Sequence, residues 1–427
     1  MQTKEQNHPQ AAVLGLQHLL AMYAGSILVP IMIAGALGYS QEQLTYLIST
    51  DIFMCGVATF LQLQLRKHFG IGLPVVLGCA FQSVAPLSII GAQQGSGYMF
   101  GALIASGIYV VLVAGVFSKV ANYFPPVVTG SVITTIGLTL ISVAIGNMGN
   151  NVEKPTSQSM ILSLITIAIV IAVNVFAKGF IKSIAILIGL IAGTVIAAFM
   201  GLVDVSAVAA APLIHVPQPF YFGMPQFEIT SIVMMCIIAT VSMVESTGVY
   251  LALADLTDDK LDSQRLRNGY RSEGLAVLLG GIFNTFPYTG FSQNVGLVRI
   301  SGIKTRRPIY YTALFLVLLG LVPKFGALAQ LIPSPVLGGA MIVLFGMVAV
   351  QGMQMFRQVD FEHNEHNFII VAVSVACGVG FNGTNLFASL PSTVQMFLTN
   401  GIVIATLFSV VLNLILNGKP KQDDVLD

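Results

Sequence analysis

Across 427 residues the chain carries only 19 Lys and Arg and 18 Asp and Glu, 9% of the sequence. Soluble domains cover themselves with charged side chains, which make up about 25% of their residues. With 55% hydrophobic residues, this chain cannot assemble a water-facing surface from so few ions. That excludes a soluble enzyme and a nucleic-acid binder. The net charge of +1 signals no acidic partner, and no basic run is long enough to hold a polyanion. The chain reads as an all-α integral membrane protein, with lipid as its first partner.

Cys55, Cys79, Cys236 and Cys377 all lie in apolar sequence without CxxC or Cys/His spacing, so they read as buried free thiols and no metal site is expected. The N-terminal MQTKEQNHPQAAVLGLQHLLAMYAG runs straight into the first apolar stretch with no obvious cleavage site, and it reads as mature sequence.

Apolar stretches near 20 residues, with shorter ones admitted where Gly and Pro interrupt, number about fourteen. They fall near 13–37, 44–65, 74–90, 98–118, 126–146, 159–177, 183–203, 229–254, 273–287, 290–302, 309–323, 332–351, 366–381 and 396–417. Starting the N-terminus in the cytoplasm puts seventeen of the 19 basic residues inside and leaves only Lys154 and Lys324 outside. The long 204–228 connection holds no Lys or Arg, which suits an external loop between two halves of seven spans. Both termini are then cytoplasmic. Because seven is odd, the two halves must be inverted relative to each other.

Two segments depart from ordinary helices. Residues 71–91, IGLPVVLGCAFQSVAPLSIIG, and 285–302, TFPYTGFSQNVGLVRISG, are short, begin with a Gly/Pro-marked extended piece and carry amides. Each is the third span of its half. Interrupted spans at matching positions of two halves point to a transporter binding site, because unwound backbone at membrane depth is tolerated only around a cavity or within protein.

A carboxylate near mid-membrane costs on the order of 3 kcal/mol on insertion scales, so each one calls for a reason. Glu245, within IIATVSMVESTGVYLALADL, is the clearest case and reads as a substrate or proton site; Asp255 lies nearer the cytoplasmic end of that span. Gln17 and His18 sit inside the first span. His18 reads either as a direct ligand or as a structural group bonded to backbone or to an amide such as Asn294. Asp51, early in the second span, reads as a structural group near the external interface. Glu273, at the expected start of the ninth span, reads as a proton-path residue or as a solvated helix-start acid. Gln82, Gln293 and Asn294 offer donors and acceptors suited to a planar ligand, and Phe81 and Phe291 beside them offer a stacking face.

The run Gln293-Asn294-Val295-Gly296-Leu297-Val298-Arg299-Ile300-Ser301-Gly302 resembles the signature of the nucleobase-ascorbate transporter (nucleobase:cation symporter-2) family. The Gln17-His18 pair, Glu245-Ser246-Thr247-Gly248 and Phe286-Pro287 extend the resemblance in the family's order. The resemblance implies fourteen spans as a 7+7 inverted repeat with short β-strands in spans 3 and 10. It implies a core domain of residues 13–122 and 229–328 and a gate domain of residues 123–203 and 329–417, with the gate forming a homodimer. Glu245 would bind ring N–H groups, Gln293 the other edge of the base, and Phe81 would lie beside it; Gln82, Phe291, Asn294 and Gly296 complete the expected binding set. Gln rather than Glu at 293 resembles the purine branch, above all bacterial xanthine permeases, with uric acid permeases close behind. Three departures stand out: Val249 replaces an ionisable residue one turn after Glu245, Glu273-Gly274 replaces an Asp-Gly pair, and Tyr288 and Gly290 replace Asn and Thr of an Asn-Thr-Thr run.

The expectation is proton-coupled uptake of an oxopurine across the plasma membrane by alternating access, with Glu245 as the coupling group and His18, Gln17 and Glu273 in its network. No cofactor is expected, and Na+ is the alternative coupling ion. A uracil permease, an anion carrier of the same architecture and a channel are the rival readings. No metal spacing or nucleophile-base pattern favours an enzyme.

Overall fold

The computed structural model describes residues 7–120 and 124–418. Lys4, Lys419 and Lys421, and the expected domain border at 122/123, lie outside the described residues. The first apolar stretch folds as α1 (His8–Ser26) and α2 (Leu28–Leu37). Pro30 explains the break at Ile27, because it has no N–H to give to the Ser26 carbonyl one turn earlier. α3 (Gln41–Leu63) starts from a capping box in which Ser40 and Gln43 satisfy each other's backbone N–H. The third stretch is β1 (Leu77–Cys79), a single 3-10 turn at Phe81–Ser83 and α4 (Val84–Gln94). Then come α5 (Ser96–Val120), α6 (Pro126–Met148), α7 (Ser157–Phe176), and the pair α8 (Phe180–Ser183) and α9 (Ala185–Phe199).

A short α10 (Ser206–Ala210) lies in the connection to the second half, which holds α11 (Ile229–Thr257), α12 (Ser263–Ile282), β2 (Tyr288–Gly290), α13 (Ser292–Ser301) and α14 (Arg307–Gly320). α15 (Pro323–Gln330), bent 79° from α14, leads to α16 (Ser334–Met355) and α17 (His366–Gly380). The chain ends with α18 (Ser392–Leu398) and α19 (Gly401–Leu416), which meet at 71°. Among the described residues, seven helical segments are long and apolar enough to cross a membrane, or nine if each bent pair is one span. Phe176 and Phe199, 83% and 89% exposed, face outward as only a lipid-facing surface permits.

The ninth stretch departs from the expectation at its start. α12 begins at Ser263, with Asp262 as its N-cap, so Glu273 lies in mid-helix and is buried rather than solvated. The polar face of SQRLRN hid the first turns from a hydropathy reading.

Helix contacts repeat between the halves. α5 packs on α12 as α14 packs on α3, and α1 on α14 as α11 on α5. Likewise α7 packs on α9 as α17 on α19, and α16 on α7 as α6 on α17, while α6 and α16 pair with each other. Exchanging first-half and second-half spans reproduces this packing, as a two-fold repeat requires. The centre of that exchange is the antiparallel pair of β1 and β2, with Leu77 opposite Gly290, Gly78 opposite Thr289 and Cys79 opposite Tyr288. Antiparallel pairing of equivalent strands means that the halves run in opposite directions.

Two packing groups result. One gathers α1 to α5 with α11 to α14, the other α6, α7 and α9 with α16, α17 and α19. Between α9 and the α1, α14 and α15 side lies an apolar groove of about 800 Å³, lined among others by Leu19, Tyr23, Leu190, Thr194, Phe315 and Ile332. In the first turn of α12, Arg265 donates to both oxygens of the loop residue Asp259 at 2.7 and 2.9 Å and to the Ile71 carbonyl at 3.1 and 2.9 Å. The Arg265 hydrogen bond holds the Asp259 carboxyl below its ordinary range. It also pins the extended chain that leads into β1.

Close approach of the helices rests on glycine. A Cβ at Gly137 of α6 would sit 2.6 Å from the Phe345 carbonyl oxygen of α16, and one at Gly352 would sit 2.6 Å from Thr134 Oγ1. Gly137→Val is therefore expected to lose most of its monodisperse protein in fluorescence-detected size exclusion and to lower the melting temperature. Gly346→Val on α16, where a Cβ meets nothing within 4 Å, is expected to behave as wild type in both measurements.

Candidate functional site

Three-residue strands leave most of their polar backbone needing partners, and at membrane depth none comes from water. Beyond the ladder, Ala80 N donates to the Pro287 carbonyl and Phe291 N to the Val76 carbonyl, both at 2.9 Å. Neighbouring helices supply the rest. Thr59 Oγ1 of α3 accepts from Leu77 N at 3.0 Å, and Ser246 Oγ of α11 accepts from Gly290 N at 3.1 Å. The strand pair thus hands the chain to two half-helices, one after Phe81 and one after Phe291, neither of which has a side-chain cap.

Glu245, in the middle of α11, is half-buried beside this junction. Its Oε2 accepts from Gln82 Nε2 at 2.9 Å and from Thr289 Oγ1 at 3.3 Å. Gln82 Nε2 also donates to Ser242 Oγ, one turn before Glu245, at 2.9 Å. Ser246 and Thr289 hydroxyls lie 3.0 Å apart, with the Thr289 proton directed to Glu245. Both bonds to Glu245 land on one oxygen. Among the described residues no hydrogen bond reaches Oε1, so this oxygen stays open to a ligand. The arrangement is a carboxylate held at a fixed angle by two interrupted spans.

Glu273 is buried on α12, and the Tyr250 hydroxyl donates to it while accepting from Gln62 Nε2. A cavity of about 10 Å³ beside Glu273, Ser242 and Tyr288 is at the lower limit for one water. His18 is buried on α1. Asn294 Nδ2 donates to its backbone carbonyl at 3.0 Å and lies 3.0 Å from ring Nδ1. With the amide so placed, Nδ1 accepts and the ring proton sits on Nε2. Of the two readings of His18, this contact matches the interhelical bond to Asn294.

The remaining expected residues divide. Phe81, 8% exposed, meets Phe345 of α16 edge to face with centroids 5.4 Å apart, so it bridges the two packing groups beside Gln82. Phe291 is wedged between Gly25 and Gly78, where a Cβ on either would meet its ring at 2.6 Å. Gln293 is half-buried and its Oε1 accepts from Ser292 Oγ at 3.4 Å, whereas Ser292 also reaches Gln351 of α16 at 3.1 Å. Gln17, adjacent to His18 and thus on another face of α1, is half-buried outside the network. Gly296 is exposed with open space around it and touches none of these groups.

Asp51, expected as a structural group near the external interface, lies at the middle of α3 and is fully buried within the protein. Its Oδ2 accepts from the thiols of Cys79 at 2.8 Å and Cys55 at 3.8 Å, and its Oδ1 from the Tyr288 hydroxyl at 3.3 Å. Cys55 and Cys79 are buried and free as expected, while Cys236 and Cys377 are free but only half-buried. The departure at Tyr288 thereby has a partner. Spacing could have flagged Ser242, three residues before Glu245, and Thr289, inside the interrupted segment. Nothing in the spacing linked Asp51 to Tyr288, 237 positions apart.

A lipid-facing bundle of inverted halves, with a carboxylate held open between two broken spans, defines a membrane permease and not an enzyme. Residues 9–385 match the Permease family. The xanthine permease of Bacillus subtilis is 51% identical over 96% of this chain and 95% of its own. The uric acid permease PucK of the same organism is 50% identical over 99% of each, and the uric acid transporter UacT of Escherichia coli 38% identical over 97% and 87%. The chain belongs to the nucleobase-ascorbate transporter family. Among solved structures, the transmembrane domain of the cyanobacterial bicarbonate transporter BicA superimposes with TM-score 0.62 at 12% identity, covering 95% of this chain and 97% of that one. The murine anion transporter Slc26a9 in the inward-facing state gives 0.67 at 13%, covering 97% and 69%. These share the fold.

His18 and Asn294 are in contact, so His18→Ala and Asn294→Ala are expected to be non-additive in thermal stability, with a coupling on the order of 1 kcal/mol. A double-mutant cycle on detergent-purified protein measures it; additive losses would mean that the bond carries no stability.

Proposed function

We propose that this permease imports an oxopurine base, xanthine first and uric acid as the close alternative, across the plasma membrane by proton-coupled alternating access. The observation that carries the reading is Glu245: one oxygen is held by Gln82 and Thr289, while the other is left for ligand N–H groups. Gln293 pairs with the opposite edge of the base, Gln82 and Asn294 hold the frame around it, and Phe81 lies against the ring. Backbone N–H groups at the starts of the half-helices after Phe81 and Phe291 supply further donors. Gly296 leaves room on the exposed face of α13.

Glu245 carries the proton, exchanged as the site opens to each side in turn. His18 steadies α1 against α13 through Asn294, with Gln17 beside it on α1, and Glu273 serves as a second proton-holding group in the network. H+ rather than Na+ is the coupling ion in this reading, because Glu245 has hydroxyl and amide neighbours and, among the described residues, no second carboxylate within bonding distance to help cage a metal. The group of α1 to α5 with α11 to α14 acts as the core, and the group around α6 and α16 as the gate, which pairs with a second copy of the chain. Both termini face the cytoplasm, as the basic residues indicate. The sparse contacts and apolar groove between the groups support sliding of one against the other.

The names of the two relatives at 51% and 50% identity divide between xanthine and uric acid, so relatedness does not choose the substrate. An anion carrier is disfavoured, since the groups around the open oxygen of Glu245 are neutral and Arg299 is exposed at the far end of α13.

Uptake of radiolabelled xanthine, urate, guanine, hypoxanthine and uracil into cells lacking their own permeases tests the reading. Xanthine is expected to accumulate and a protonophore to abolish accumulation; accumulation of none of the five rejects purine transport. Glu245→Gln is expected to cut uptake roughly 10- to 100-fold at unchanged abundance, the loss that follows removal of a charged hydrogen-bond acceptor. Gln293→Glu is expected to weaken xanthine more than uracil in competition assays.

A further inference from the structure

Asp51 lies outside the binding set yet is the most completely enclosed carboxyl of the described residues, with 0% exposure on α3. Its partners are distributed in a particular way. Cys79 is the last residue of β1 and Tyr288 the first of β2, and the two are register partners across the ladder. One carboxyl group therefore accepts from both strands at once, from the Cys79 thiol at 2.8 Å and the Tyr288 hydroxyl at 3.3 Å. Tyr288 is steadied in turn by Thr285, hydroxyl to hydroxyl at 2.6 Å, and Cys55 adds a fourth-residue contact from within α3.

An isolated pair of three-residue strands is not stable by itself. Here it also has a task, because Thr289, next to Tyr288 and pointing to the opposite face, is the residue that reaches Glu245 and Ser246. Immediately after Cys79 and shortly after Tyr288 the half-helices begin, carrying Phe81 and Gln82 on one side and Gln293 and Asn294 on the other. The placement of those two starts therefore follows from the placement of the strands. Among the described residues no cation is hydrogen-bonded or ion-paired to Asp51; its partners, the Phe286 backbone N–H included, are neutral donors.

We propose that Asp51 is a positioning residue for substrate binding: by bridging Cys79 and Tyr288 from behind, it fixes the register and separation of the two interrupted spans and so aims Thr289 at Glu245. This inference rests on the transport reading above, and it adds Asp51, Cys79 and Tyr288 to the residues that set affinity. A group that only supported the fold would change abundance and melting temperature together and leave the KM of surviving molecules alone. A positioning group changes KM.

The test measures xanthine uptake kinetics per copy at the membrane, and in parallel the labelling of Cys79 by N-ethylmaleimide, read by peptide mass spectrometry. Asp51→Ala is expected to raise KM roughly 10-fold or more, as misplacement of a binding group by about 1 Å does, and to open Cys79, which is 1% exposed in the native chain, to the reagent. Asp51→Asn, which keeps an oxygen for Tyr288, is expected to recover most of the affinity. Wild-type KM in Asp51→Ala at normal abundance overturns the proposal. Should Asp51→Ala fail to reach the membrane, Tyr288→Phe decides: it removes one hydroxyl and is expected to raise KM in the same direction, and an unchanged KM again overturns the idea. Should wild type take up no xanthine, the transport reading fails alone, and Cys79 labelling decides this one, with unchanged labelling in both variants counting against it.

Discussion

Unwound backbone in the middle of a membrane must find its hydrogen bonds inside the protein, and the pairing of β1 with β2 is how this chain meets that demand. Several polar side chains of the bundle meet that requirement. Thr59 and Ser246 terminate the ladder, Asp51 ties it from one face, and Glu245 meets it from the other. Because the strands come from equivalent spans of inverted halves, the junction coincides with the pseudo-two-fold axis. The same geometry places the starts of two half-helices at the ends of the paired strands.

Contacts within each packing group are dense and glycine-mediated, whereas those between the groups are few. Phe81 against Phe345 and Ser292 against Gln351 are among the links that cross from one group to the other, and both start from the half-helices. Motion of one group past the other would therefore be felt first at the half-helix starts, through the placement of two side chains.

Three carboxyls inside the bundle have three different surroundings. Glu245 keeps one oxygen free, Glu273 is closed by Tyr250, and Asp51 is enclosed by thiols and a phenol. Chemical type does not separate them; access does. The first keeps an oxygen without a hydrogen bond among the described residues.

Much was legible in the letters. The scarcity of charge forced a membrane fold, Gly and Pro marked the two interrupted spans, and the lone acid in an apolar run marked Glu245. Those are local signals, since hydropathy and helix breaking depend on neighbours in the chain. The Gln293-Asn294 run identified the family for a related reason, as its residues are contiguous. What only the tertiary structure decided is which polar groups meet. Asp51 looked like an interface residue because its depth depends on helices packed around it, and Glu273 looked like a helix start because the turns before it are polar. The partnership of Asp51 with Tyr288 and of Thr289 with Glu245 is created by folding two inverted halves together, and no window of sequence contains it.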